Sequence, residues 1–243
     1  MADNKLDVRV YPIYEPKGST VAFASVAVDD LVAIRGIRVV DGEKGKFVTM
    51  PQSKSEKEDG KVEYHDIAHP INGDLRKDMS AAVLDEYKRV AALSPEERGY
   101  EAPDMSAVNN KRIEDIKLDI RVYPLDDPKG STKAFASVAV DDVVIRGVRV
   151  VDGEKGLFVT MPQSKSEKEE GKVEYHDIAF PLNGDLRKEI SKAILDEYKA
   201  AEKSVDRKQT LADGLAAGVA RAAEHTAAPR DAAAKSHGAG VLE

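Results

Sequence analysis

The sequence predicts an α+β protein of two similar modules. Each is a small antiparallel β-sheet followed by one C-terminal helix, and the two pack as a pseudo-dimer within one chain. Three observations predict this. The stretch Lys5 to Lys88 repeats as Lys117 to Lys199, with 68 of 83 aligned pairs identical. Each copy begins with short segments that alternate apolar and polar residues between Gly-, Pro- and Asp-rich turns. Each copy then closes on a segment with apolar residues at helical spacing. Near-identical tandem copies suggest a self-pairing module fused head to tail.

In the first copy, Leu6 to Tyr11 alternates and reads as a first strand. Pro12 to Ser19, with Pro16 and Gly18, is a turn or loop. Val21 to Val28 and Val32 to Val40 are two strands of a hairpin joined at Asp29-Asp30. Asp41 to Gly45 is a turn, Phe47 to Met50 a short fourth strand, and Pro51 to Lys61 a long polar loop. Val62 to Ala68 is a fifth strand, ended by Pro70. A helix starts near Asn72, which can cap free N–H groups, with Asp74 suiting the positive end of the dipole. Leu75, Met79, Val83 and Tyr87 form its apolar stripe, repeated as Leu186, Ile190, Ile194 and Tyr198. The repeat needs one gap, placed at Ala33. A one-residue slip inside a strand would turn every later side chain to the other face, so the extra residue belongs at the turn or in a bulge beside it.

The modules are bounded as 5–90 and 117–203. The linker, 91–116, holds Ser94-Pro95, Pro103 and Asn109-Asn110 and reads as one helical turn around Pro95 to Arg98. At up to about 3.3 Å per residue it can carry either copy to the far side of the other. In the Ala-rich tail, 204–243, Leu211, Leu215 and Val219 suggest a marginal helix over Val205 to Glu224; disorder is expected beyond Ala227. The closing Leu242-Glu243 reads as an appended remnant and is set aside.

Composition excludes several classes. The chain has no Cys, which removes disulfides, thiolate metal sites and a thiol nucleophile. It has no Trp, so its cores must be built from Val, Ile, Leu and Ala. No apolar run reaches the roughly 18 residues of a membrane span, and Met1 to Leu6 has no apolar signal core. A cytoplasmic location is expected by default. The net charge of −7 over 243 residues disfavours a generic polyanion binder, so contact with nucleic acid would need a local basic patch.

The order of residues within each copy is specific. A strand ending Ile37 to Gly42, or Val148 to Gly153, leads to Gly-X-Phe-Val-Thr-Met-Pro at 45–51 and 156–162. A polar loop with Ser53-Lys54, or Ser164-Lys165, follows. Then come His-Asp-Ile-Ala-His-Pro-Ile-Asn at 65–72 and His-Asp-Ile-Ala-Phe-Pro-Leu-Asn at 176–183. A helix with Arg76, or Arg187, in its first turn closes the copy. This order resembles the SpoVG family, named for stage V sporulation protein G, over about 85 residues of each copy. The resemblance implies a homodimerising module that binds DNA or RNA as a bacterial regulator linked to sporulation and septum formation. The family's loop after Met-Pro normally reads Ser-Lys-Arg. Here Ser55 and Ser166 replace the arginine, and the loop lengthens into alternating Lys and Glu. That removes a bidentate phosphate donor and adds charges that repel phosphate.

The residues nominated for nucleic-acid contact are Lys54, Lys57, Lys165 and Lys168 in the loops, and Arg76, Lys77, Arg187 and Lys188 at the helix starts. Helix N-termini favour phosphate through free N–H groups, and the cations add to this. Arg35, Arg38, Arg146 and Arg149 on the third strand could serve an open sheet face, but are read as satisfying acidic turns such as Asp41. No metal site or cofactor is expected. His69 becomes Phe180 in the second copy, and His65 and His69 would stand about 13 Å apart on a strand. No catalytic constellation is present: the adjacent Asp29-Asp30 and Asp141-Asp142 have no nucleophile or base in visible relation to them. The expected function is therefore non-enzymatic, with nucleic acid and the other module as partners, further homo-oligomerisation open, and no membrane association. The alternative is a protein-interaction module that has lost nucleic-acid binding.

Overall fold

The computed structural model of the chain describes residues 4–57, 59–93, 112–128, 130–167 and 172–203. The helical turn expected near Pro95, the tail and Lys168 lie outside those residues.

Strands β1 (Leu6–Pro12), β2 (Thr20–Val28), β3 (Val32–Gly42) and β4 (Gly45–Thr49) form an antiparallel meander in the first copy. A two-stranded ribbon follows, β5 (Gln52–Glu56) with β6 (Val62–Asp66), then a short β7 (Ala68–Pro70) and helix α1 (Gly73–Ala91). The second copy repeats this order. Its meander is β8 (Leu118–Pro124), β9 (Thr132–Val140), β10 (Val143–Gly153) and β11 (Gly156–Thr160). Its ribbon is β12 (Gln163–Glu167) with β13 (Val173–Asp177), followed by β14 (Ala179–Pro181) and a helix, α2, described over 184–203. The α+β class holds.

Residues 51–61 are not simply a loop. Gln52 to Glu56 pairs along its whole length with β6, from Gln52 opposite Asp66 to Glu56 opposite Val62. All five residues of β5 are exposed, so there is no apolar alternation from which to read a strand.

The expected fifth strand also divides. It stops at Asp66, and Ala68 to Pro70 joins the sheet of the other copy, with Val143 opposite Pro70 and Ile145 opposite Ala68. Reciprocally, β14 pairs with β3, Ala179 opposite Ile34 and Pro181 opposite Val32. Backbone bonds flank each graft: Arg35 N–H to Ile178 O at 2.7 Å, Leu182 N–H to Leu31 O at 2.8 Å, Arg146 N–H to Ile67 O at 2.7 Å and Ile71 N–H to Asp142 O at 2.8 Å. These bonds fall on either side of Pro70 and Pro181, so the missing proline N–H leaves no ladder acceptor unpaired. Pro70 therefore sits within a ladder rather than ending one. The second edge of β3 is shared: β14 of the other copy covers Val32 to Ile34, and the same copy's β4 covers Arg38 to Gly42.

The helix forms as expected. Asn72 Oδ1 accepts from Leu75 N–H at 2.6 Å, closing the first turn. Leu75, Met79 and Val83 are buried, as are Leu186, Ile190, Ile194 and Tyr198, and both sets belong to one core cluster built from the two copies. The described residues up to Ala201 form one compact unit. We propose that 5–90 and 117–203 mark the limits of the repeat rather than of separately folding pieces.

The length difference between the copies sits in the hairpin turn. In the first copy Val28 pairs with Val32, leaving three residues between them; in the second Val140 pairs with Val143, leaving two. Asp29 and Asp30 have φ of +52° and +53°, and Leu31 N–H closes the turn on Val28 O at 2.9 Å. The extra residue is thus Leu31, not Ala33, and Ala33 and Val144 occupy equivalent places opposite Phe180 and His69.

Candidate nucleic-acid interface

The nominated cations are mostly held by carboxylates of their own copy. Arg76 Nη2 donates to Asp66 Oδ2 at 2.9 Å, and Gln52 Nε2 donates to Asp66 Oδ1 at 2.9 Å. Arg187 and Gln163 hold Asp177 in the same way, each at 2.8 Å. Each arginine thereby ties the start of its helix to the base of its ribbon. Partial burial pushes the Asp66 carboxyl up. The Gln52 amide, the Arg76 guanidinium and the charge on His69 outweigh that and hold it below the ordinary carboxylate value.

Lys57 pairs with Glu63 at 2.6 Å, Lys77 with Asp74 at 3.2 Å, Lys165 with Glu167 at 2.8 Å and Lys188 with Asp185 at 2.9 Å. Exposed pairs of this kind contribute only about 0–1 kcal/mol, so a phosphate can compete for these lysines. Lys54 is exposed and has no ion-pair partner among the described residues. The nominated residues do not gather on one surface. Lys165 lines a groove with Arg146 and Arg149, whereas Arg187 and Lys188 line a shallow groove along α2 with Lys192 and Lys199.

A second set of cations does gather, and the cause is a glycine. Arg35 and Arg38 are three apart, which in a regular strand places them on opposite faces. Gly36, at φ +73°, forms a bulge in which Arg35 and Gly36 together oppose Ser25. Ile34 and Ile37 then both face the core, and Arg35 and Arg38 both face outward, away from the helix. Gly147, at φ +72°, does the same for Arg146 and Arg149. Arg9 opposite Ser25 and Arg121 opposite Ser137 bring a third arginine to each outer face.

Aromatic rings border these arginines. Tyr11, Phe23, Arg38 and Thr49 lie directly across neighbouring strands in one row, and Tyr123, Phe135, Arg149 and Thr160 repeat it. Arg38 does not serve Asp41, which takes Lys46 at 3.2 Å instead. Neither Arg38 nor Arg149 has an ion-pair partner among the described residues. At the end of each row, Thr49 and Thr160 keep a buried hydroxyl with no hydrogen-bond partner. The sequence signal for all of this was a glycine inside a strand pattern, which marks a bulge.

Both copies contribute to two grooves, one of them the groove that Lys165 lines. One, about 300 Å³, joins Arg35 and Arg38 to Tyr64 of the first ribbon and His176 of the second. The other, about 320 Å³, joins Arg146, Arg149 and Lys165 to Tyr175 and to His65 of the first ribbon. Strand exchange makes these composite grooves, because it lays each ribbon beside the other copy's sheet.

Comparison with known proteins fits this repeated module. A profile of the SpoVG family matches residues 4–89 and again residues 116–200. The chain belongs to the SpoVG family. Among its SpoVG relatives, the "Putative septation protein SpoVG" of Caldanaerobacter subterraneus subsp. tengcongensis is 41% identical over 92 residues, which is 37% of this chain and 96% of that protein. The protein of the same name from Lachnospira eligens is 43% identical over 85 residues, 35% of this chain and 91% of the relative. That of Myxococcus xanthus is 41% identical over 86 residues, 35% and 81% of the two chains. These relatives are matched along most of their length by about a third of this chain, so each corresponds to one SpoVG copy. They are named for septation, not for a reaction. Among the described residues, no helix is long and apolar enough to cross a membrane.

Proposed function

We propose that this SpoVG chain is a regulatory nucleic-acid-binding protein in which one polypeptide supplies both halves of a pseudo-symmetric surface. The observation that carries this reading is the collection of three arginines on each outer sheet face, of which only Arg9, paired with Asp7 at 3.6 Å, and Arg121, paired with Asp119 at 3.3 Å, meet a carboxylate among the described residues, in a chain whose total charge is −7. A local cationic face is what an acidic protein needs in order to attract phosphate. Lys165, which shares a groove with Arg146 and Arg149, adjoins the second face, while Lys54 on the first ribbon and Arg76, Lys77, Arg187 and Lys188 at the helix starts are separate cationic positions of the same proposal. Lys57 and the second-copy Lys168 belong to the same proposal. The relatives' name, which ties them to septation, gives the regulatory context.

Fluorescence anisotropy with labelled random-sequence duplex DNA and single-stranded RNA, at low and moderate salt, tests this. Binding that weakens log-linearly with salt, by about 0.7 to 0.9 per phosphate contact, is the expected result. No binding at low salt would overturn it. The pairing of Arg76, Arg187 and most of the lysines with carboxylates favours a second reading, a non-catalytic protein-interaction module. That reading predicts no salt-dependent signal and stable capture of a protein partner.

A further inference from the structure

We propose that the outer face of β8, β9 and β10, with the groove it shares with the ribbons, is a track for single-stranded nucleic acid. Bases stack on Tyr123 and Phe135, and phosphates meet Arg149, Arg146 and Lys165. This rests on the nucleic-acid reading above and adds the surface and the strandedness.

Tyr123 and Phe135 are directly opposed on adjacent strands, and they are 56% and 43% exposed. Rings so placed are lost to the core yet rigidly held, with about 4.5–5.5 Å between their Cβ atoms. Arg149 continues the row on the next strand, free of any ion pair among the described residues. A cavity of about 480 Å³ lies on this face, lined in part by Tyr123, Phe135 and Arg146. The composite groove of about 320 Å³ also contains Arg146, so the two openings adjoin and lead on to Lys165 and Tyr175. The path therefore runs from two aromatics, Tyr123 and Phe135, through three cations, Arg149, Arg146 and Lys165, to a third aromatic, Tyr175.

That combination suits a single strand. Every unpaired base offers a π-face to a ring, while the phosphates between bases need cations. A duplex presents base edges and no free faces, so it gains nothing from the rings. The first copy's face suits this role less. Phe180 crosses onto it opposite Ala33, Arg35 stacks on that ring with 4.7 Å to its centroid, and Ser25, Ala27 and Ala33 are buried.

The test uses the full chain with labelled oligouridylate and oligothymidylate of about 12 nucleotides, within the usual range of single-strand site sizes, beside a duplex of the same length. The double variant Tyr123→Ala/Phe135→Ala is expected to lose at least about tenfold in single-strand affinity, as two lost stacking contacts imply. Its duplex affinity and melting temperature stay near those of the parent, since both rings are exposed. Because the chain has no Trp, Tyr123→Trp supplies a lone reporter whose emission should be quenched by single strands and not by duplex. If the parent binds single strands while the double variant binds them equally and the Trp emission does not change, the track is wrong and the nucleic-acid reading stands. If the parent binds neither probe at low salt, the reading itself falls and the track with it.

Discussion

The two exchanged strands, β7 and β14, make the same backbone pairing and differ at their middle residue. His69 stands opposite Val144 and Phe180 opposite Ala33. The flanking residues, Ala68 and Ala179, are fully buried on the core side, and Pro70 and Pro181 complete the ladder. Only the middle side chain faces outward. Phe180 gives Arg35 a ring to stack on, whereas the His69 Nδ1 lies 2.8 Å from the Pro70 carbonyl oxygen and Arg146 is left exposed. The core side thus locks the copies together identically, while the outer side lets one face close and the other remain open. Near-identity of sequence does not make the two faces equivalent.

The largest expected effect comes from breaking the shared core side. Ala179→Asp places an unpaired carboxylate at a site with no exposure, and should cost about 3–5 kcal/mol. Thermal unfolding followed by circular dichroism should show one transition moved down as a whole, because each sheet depends on the other copy. Loss of only half the signal at lower temperature would mean that the copies fold independently.

A smaller effect is expected at the bulge that orients the outer face. Gly147→Ala forces a side chain into φ +72°, at about 1–2 kcal/mol. The new Cβ would lie 3.9 Å from Pro162, so space is not the difficulty. Denaturant melts measure the cost. If the bulge relaxes instead, Arg149 turns inward and Val148 and Val150 turn out, so nucleic-acid affinity falls and the loss of stability exceeds that range.

Smaller again are the exchanges at the middle position. Phe180→His should remove the Arg35 stacking and about 0.5–1 kcal/mol of stability. His69→Phe should offer Arg146 the same ring, and weaken single-strand binding by diverting that arginine. Titration of each variant against the parent decides whether residue 69 sets the openness of the second face.

The smallest is a pH effect at the ribbon base. The folded-state value of Asp66 is depressed, so its contribution is full above the unfolded value of about 3.9 and is lost as pH falls through the lower folded value. Asp66→Asn should flatten the decline in stability below about pH 4 without steepening it at neutral pH. A variant that remains as acid-sensitive as the parent would remove Asp66 from the account.

The meander, the helix and its Asn72 cap were legible because they rest on local patterns: alternation, turn residues and apolar residues four apart. The β5 strand was not, since a strand exposed on every side chain has no alternation to show. The exchange was hidden for a different reason. Three residues, Ala68-His69-Pro70, carry too short a period to reveal a partner, and that partner is backbone more than seventy positions further along the chain. The site was only partly legible. Counting two residues per strand repeat separates Arg35 from Arg38, and only the bulge at Gly36 reunites them. Asp41 looked like the natural partner for Arg38, but Lys46 stands across the turn and takes it.

The exchange within one chain is tested most directly by a pair of cysteines. The chain has none of its own, so Ile34→Cys with Ala179→Cys creates one unambiguous pair at opposed positions of β3 and β14. Antiparallel neighbours of this kind fall within disulfide reach. After mild oxidation of dilute protein, non-reducing electrophoresis and light scattering should show a disulfide closed within a single chain of 26.4 kDa. Disulfide-linked chains of twice that mass would place the exchange between molecules. Failure of the two thiols to join would contradict the exchange itself.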